Sequence, residues 1–213
     1  MIESGKDVRF WSDAHFGHAA IIGMCDRPFA NADEMDAAIW AAVEDAASRV
    51  DFLLCLGDLS MTDALAVQRQ LHSLLGDRQA TISGNHDRKN CDRQEWVRLG
   101  GIASLAFFLP TRLLREWVDA DDANGIDWNA LPDRIEFGAC HYPIPPSKTP
   151  GPSWISLHGH SHGQSQGPLR VDFSVEAAGY RPIALRDALK PALFRDLVLL
   201  QEERVDLAAM PAP

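Results

Sequence analysis

The stretch Asp51-Phe52-Leu53-Leu54-Cys55-Leu56-Gly57-Asp58 decides the fold class. Phe52 to Leu56 are apolar without a break, and Gly57 ends the run. That pattern suits a strand buried on both faces, as in a parallel sheet covered by helices. Just upstream, Asn31 to Ser48 carries Met35, Ala38, Ile39, Ala42 and Val43 at helical spacing, with Asn31 or Asp33 available as a cap. Before it, Val8-Arg9-Phe10-Trp11-Ser12 reads as a strand. Downstream, Thr62 or Asp63 caps a helix running to Leu75 and stopped by Gly76, and Gln79 to Ser83 is a third strand ended by Gly84. Strand and helix alternate, which predicts an α/β layered fold.

The second half is less regular. Asp92 to Leu99 reads as a short helix, Ser104 to Leu109 as a strand and Arg112 to Asp119 as helical. Asp119 to Gly125 reads as an acidic loop. Ile135 to Cys140 and Trp154 to Leu157 are strands, separated by a loop stiffened by Pro143, Pro145, Pro146, Pro150 and Pro152. Leu169 to Val175 alternates as a further strand, and Arg186 to Leu207 reads as a helix broken near Pro191. With no repeat and no Gly/Ser-rich linker, residues 1–213 are read as one domain with one core.

The composition is that of an ordinary globular protein, 46% hydrophobic and 23% charged. A formal charge of −10 argues against a nucleic-acid backbone as the main partner. No apolar run reaches the length of a membrane span, and Met1 to Asp7 lacks the profile of a signal peptide. A cytoplasmic location without a membrane partner is expected. Cys25, Cys55, Cys91 and Cys140 form no Cys-x-x-Cys pair and are read as buried free thiols.

The histidines carry the chemistry. Of the eight, only His72 lies inside a helical pattern. The others sit at or just beyond strand ends, where ligand sites gather in α/β sheets. Five clusters follow in order: Asp13-Ala14-His15 with Phe16-Gly17-His18, then Gly57-Asp58, Gly84-Asn85-His86-Asp87, His141-Tyr142-Pro143 and His158-Gly159-His160-Ser161-His162. Asp, Asn and His without cysteine suit Mn, Fe, Zn, Co or Ni better than Ca or Mg. More than four donors on five loops suggests two ions, the arrangement used for in-line displacement at phosphorus.

In that order the five blocks resemble the calcineurin-like metallophosphoesterases, and the resemblance runs from about residue 8 to residue 185. Asp13 to His18, then Ile21-Ile22 and Arg27-Pro28-Phe29, resemble a compact bacterial and phage-type branch. The resemblance implies a two-sheet β-sandwich flanked by helices, in four layers, with metals on loops at one edge. It places Asp13, His15, Asp58 and His162 on one ion and Asp58, Asn85, His141 and His160 on a second. Two transition-metal ions are expected, manganese first, with Fe, Zn, Ni or Co as alternatives. His86 matches a catalytic histidine that is not a ligand, and Asp87 is expected to orient it by accepting its other ring N–H. The implied reaction is hydrolysis of a phosphate ester, monoester or diester, by a hydroxide shared between the ions, with His86 protonating the leaving group.

A small phosphorylated or nucleotide-type substrate is expected; the alternative is a catalytically silent scaffold. Scaffold relatives lose a ligand or the catalytic histidine, and here every such position is filled. Ser83, Ala139-Cys140 and the long acidic segment 111–133 depart from the family pattern without replacing a ligand. His18 is read as shaping its loop or meeting substrate, Arg27 as meeting substrate or pairing with an acid, and Arg88 as solvated or ion-paired. His158 is read as packing, and Trp128 and Trp154 as lining the cleft or filling the core.

Overall fold

A computed structural model describes residues 6–87, 91–118, 126–145, 148, 154–164, 167, 169–190 and 193–198. The chain runs β1 (Val8–Trp11), α1 (Ala19–Met24), α2 (Ala32–Ala47), β2 (Phe52–Cys55), α3 (Ala64–Leu75), β3 (Gln79–Ile82), α4 (Arg93–Arg98) and β4 (Gly101–Ile102). It continues with β5 (Leu105–Pro110), α5 (Thr111–Trp117), β6 (Arg134–Ala139), β7 (Trp154–His158), β8 (Arg170–Asp172), α6 (Val175–Ala178), β9 (Ile183–Ala184) and α7 (Leu185–Ala188). Residues 193–198 are helical. The acidic loop 119–125, and the expected helix beyond 198, lie outside the described residues.

Two mixed sheets form, flanked by helices. One has the order β4-β3-β2-β1-β9 and the other β5-β6-β7-β8. In the first, β1 to β4 are parallel and β9 joins antiparallel. In the second, β5 is antiparallel to β6, while β6, β7 and β8 are parallel.

Side-chain alternation along each strand divides the core in two. Phe10, Leu54, Ala80 and Ile82 share one cluster with Ile135, Phe137, Ile155, Leu157 and Val171 of the second sheet. Phe10 meets Phe173 at a ring-centroid distance of 5.0 Å. Trp11, Leu53 and Cys55 face the other way, against Met35, Ile39 and Val43 of α2 and Leu65, Leu71 and Leu75 of α3. Helices α2 and α3 start at capping side chains. Asn31 Oδ1 accepts the Glu34 N–H and Asp63 Oδ1 the Ala66 N–H, both at 2.9 Å, each cap worth about 1 kcal/mol.

Several expectations are corrected here. The strand read over Leu169 to Val175 ends at Asp172, because the Asp172 carboxylate accepts the Ser174 N–H at 2.8 Å and turns the chain into α6. Among the described residues only Cys55 is a buried thiol; Cys25, Cys91 and Cys140 are free but half-exposed, Cys25 and Cys91 packing at the edge of the core. Of the two readings left open, Trp154 fills the core, packing over Gly138, whereas Trp128 packs 5.2 Å from the Phe194 ring and also lines a groove beside α5. Among the described residues no helix is long and apolar enough to cross a membrane.

Because β1, β2 and β3 are parallel, their carboxyl ends share one edge. The parallel β6 and β7 end together in the same way. The five clusters sit on the loops leaving these five strands.

Candidate metal centre

Asp58 lies at the middle of the gathered side chains. Its Oδ2 is 3.4 Å from His141 Nε2, 3.7 Å from His15 Nε2 and 3.9 Å from His86 Nε2. Its Oδ1 accepts the His86 backbone N–H at 2.9 Å. Three overlapping donor groups result: Asp13, His15 and His162; His15, Asp58 and His86; Asp58, His141 and His160, with ligand atoms within 4.8 Å of one another in each. Asn85 Oδ1 is 3.0 Å from His141 Nε2, on the side of the last group. All seven expected ligands therefore come together.

The backbone is bent to achieve this. Asp13, His15, Asp58, His160 and His162 all have positive φ, between 49° and 66°. Left-handed conformations at non-glycine residues cost about 1 kcal/mol or more each and concentrate at functional sites. Cross-loop hydrogen bonds hold them. Asp13 N–H donates to Gly57 O at 2.9 Å and His15 N–H to Asp58 O at 3.1 Å. Both Asp13 carboxylate oxygens accept the His160 N–H, at 3.0 and 2.9 Å, tying the first loop to the last.

Second contacts fix the rings. His141 Nδ1 donates to Leu56 O at 2.9 Å, which turns Nε2 toward Asp58. His162 Nδ1 lies 2.9 Å from Glu176 Oε1, and its Nε2 faces Asp13 Oδ1 at 3.8 Å. Asp172 accepts the Ser161 hydroxyl at 2.6 Å and the Gly163 N–H at 2.9 Å, bracing the turn that carries His160 and His162. Glu176 and Asp172 were missed by sequence reasoning; their only signal is an acid downstream of the last histidine cluster.

The electrostatics suit cations. Burial pushes the Asp13 carboxyl up to about 7. It pulls the His15 imidazole down to about 3, so that ring is neutral. Burial also opposes charge on His162 and His141, yet the neighbouring carboxylates outweigh it and raise both. Both ring nitrogens of His15, and Nδ1 of His18 and of His86, are buried without a hydrogen-bond partner among the described residues. Orphaned buried donors beside buried carboxylates fit a set made to be completed by metal ions.

Two site expectations are corrected. Asp87 does not orient the His86 ring. Its carboxylate accepts three backbone N–H groups, from Asp58, Leu59 and Gly84, at 2.7 to 2.9 Å, while His86 Nδ1 has no hydrogen-bond partner among the described residues. Arg27 is not free to meet substrate. Its side chain is fully buried; Nη2 donates to Asp13 O at 2.7 Å, Nη1 to Ala14 O at 2.8 Å and Nε to Glu176 at 2.9 Å. It clamps the first loop from behind. His18 is half-buried with its ring 5.6 Å from that of His15, beside the cluster. His158 packs as expected, fully buried with Nδ1 2.8 Å from Gly159 O. Tyr142, unassigned from the sequence, is 47% exposed and stands edge-on to His160 at 4.6 Å, at the rim. The described part of segment 111–133 lines a separate groove of about 790 Å³ that holds none of the clustered histidines. Arg88 lies outside the described residues.

No family model matches the chain. A crystal structure of the protein of unknown function AQ665 from Aquifex aeolicus shares its fold, with a TM-score of 0.52 at 21% identity over 85% of this chain and 96% of that one. The uncharacterized protein MJ1445 of Methanocaldococcus jannaschii is 38% identical over 191 residues, which span 85% of this chain and 89% of the relative. Likeness of that extent and identity means that the chain belongs to the same family as MJ1445.

Proposed function

We propose that this protein is a two-metal phosphoesterase of the calcineurin-like metallophosphoesterase kind, acting on a small phosphorylated or nucleotide-type ester. The observation that carries the reading is the position of Asp58: one carboxylate stands within 3.4 to 3.9 Å of three imidazoles and belongs to two donor groups at once. Asp13, His15, Asp58 and His162 would hold one ion, and Asp58, Asn85, His141 and His160 the other. Once bound, such a pair supplies Lewis acidity to a phosphoryl oxygen and to the attacking water.

The chain's own residues do the rest. His15 enters the site neutral and needs no deprotonation to act as a donor. The Leu56 carbonyl and the Glu176 carboxylate hold His141 and His162 in the tautomers that present Nε2. His86 is half-exposed, with its backbone fixed by Asp58 and Nδ1 unpartnered, so it can turn toward a leaving oxygen and deliver a proton there. Two bound cations would make the site of this acidic chain locally electropositive, which would reconcile the overall charge with an anionic substrate.

The test is hydrolysis of p-nitrophenyl phosphate and bis-p-nitrophenyl phosphate by metal-stripped protein after adding back Mn²⁺, Ni²⁺, Zn²⁺ or Mg²⁺. Metal-dependent turnover that falls by about a hundredfold or more in His86→Ala, with metal binding retained, supports the reading. Absence of turnover with every ion on both esters counts against it and in favour of a scaffold.

A further inference from the structure

Two aromatic side chains are exposed among the described residues, and they are held differently. Phe108, on β5, is 57% exposed, but the Arg134 guanidinium lies 4.6 Å over its ring. Among the described residues no cation caps Tyr142, which is 47% exposed. Its ring neighbours are His160 at 4.6 Å and His141 at 5.1 Å, inclined at 65° and 72°. Neither lies flat against it, so neither takes the place of a stacked partner.

The ring is also anchored. The Tyr142 carbonyl accepts the Cys140 thiol at 2.8 Å, and two residues on, the Ile144 N–H donates to the buried Ser156 hydroxyl at 3.2 Å. His141, just before it, is buried, and its carbonyl accepts the Gly159 N–H at 3.1 Å. Pro143 follows directly and favours an extended backbone at Tyr142. A ring that is exposed and anchored at once loses little freedom when a flat ligand covers it.

The place of Tyr142 decides what that ligand is. His141 and His160, the two rings it touches, belong with Asp58 to one donor group. If that group holds an ion, a phosphoryl group bound there would have its substituent beside Tyr142. We propose, resting on the phosphoesterase reading above, that Tyr142 is the platform on which a flat aromatic ring of the substrate stacks, so that it selects phosphate esters bearing an aryl group or a nucleobase over purely aliphatic ones. Stacking uses the face of the ring and not the hydroxyl, so phenylalanine serves there as well as tyrosine.

The experiment is calorimetric binding of non-hydrolysable phosphonates to the Mn²⁺-loaded protein: methylphosphonate, phenylphosphonate and the methylene phosphonate analogue of adenosine monophosphate. The wild type is expected to bind at least one ring-bearing compound about tenfold to a hundredfold more tightly than methylphosphonate. Whether the phenyl or the adenosine compound gains more tells an aryl ester from a nucleotide. Tyr142→Phe keeps the preference, Tyr142→Ala loses it, and methylphosphonate binds equally in both; Phe108→Ala changes nothing. A Tyr142 that only braced His141 and His160 would instead weaken every phosphonate alike in Tyr142→Ala, which overturns the proposal. So does a ring preference that is absent from the wild type, or that survives in Tyr142→Ala, while methylphosphonate still binds. Failure of all the phosphonates to bind protein that has taken up Mn²⁺ counts against the phosphoesterase reading itself, and the stacking role falls with it.

Discussion

The Asp87 carboxylate accepts the backbone N–H of Asp58 at 2.7 Å, and with Leu59 and Gly84 as further donors it joins the loop after β2 to the loop after β3. Asp87 is 1% exposed, so truncation strands three buried N–H groups. Asp87→Ala is expected to lower stability by about 2–4 kcal/mol, measured by urea unfolding, and to weaken metal binding because Asp58 loses its support. Asp87→Asn keeps part of the acceptor set and should lose less. Stability within about 0.5 kcal/mol of wild type for Asp87→Ala would show that these bonds carry little.

Arg27 and Glu176 come from positions 149 residues apart and meet inside the protein. Removing one partner of a buried pair typically costs about 3–5 kcal/mol. Arg27→Met should therefore unfold at lower denaturant concentration. Arg27→Lys should restore little, because one ammonium cannot reach Asp13 O, Ala14 O and Glu176 together. A substrate role would instead give Arg27→Lys normal stability with a raised KM alone.

Metal uptake should release protons, and more at lower pH. Asp13 in the metal-free fold titrates at about 7, above its ordinary 3.8, through burial. Between those values the folded state holds a proton that the unfolded state has lost. The contribution of Asp13 to metal-free stability is therefore full below 3.8 and fades as pH rises through 7. Ligation needs the carboxylate, so apparent metal affinity rises with pH across the same window. Calorimetry in buffers of different ionisation heat should show greater proton release at pH 6 than at pH 8, as order-of-magnitude settings around that value. Equal release at both would contradict the raised Asp13.

Gly159 sits where a Cβ would collide with the Ser12 hydroxyl and with Oδ2 of Asp13. Gly159→Ala should push the Asp13 carboxylate off its place and reduce metal affinity by about tenfold to a hundredfold, read by metal-chelator competition. Gly23→Ala, where a Cβ meets nothing within 4 Å, is the control. Equal affinities in the two variants would mean that Asp13 is not held by this packing.

Local chemistry made much of this architecture legible. Asn31, Asp63 and Gly76 punctuate α2 and α3 where their side chains or backbone demand it. The unbroken run ending at Gly57 marked β2, and the strand-end placement of Asp13, Asp58, Asn85, His141 and the His160–His162 pair was visible as a pattern. What escaped is either very short or long-range. β4 and β9 have two residues each, too few for any periodicity. Helix α1 begins at His18, whose side chain makes no capping bond, and so carries no start signal. Arg27 was open to a substrate role because its acid partner is far away in sequence; Glu176 arrives only when α6 folds against the first loop. Asp87 was misassigned for the same reason, since its partners are backbone N–H groups, which all residues but proline carry.

The most direct measurement is the stoichiometry of Mn²⁺ in equilibrium dialysis of the wild type and Asp58→Asn. A shared Asp58 predicts two ions per chain in the wild type and the loss of at least one in the variant, because that carboxylate belongs to two of the three donor groups. A wild type that takes up no ion, or an Asp58→Asn protein that binds as the wild type does, would contradict the two-metal account.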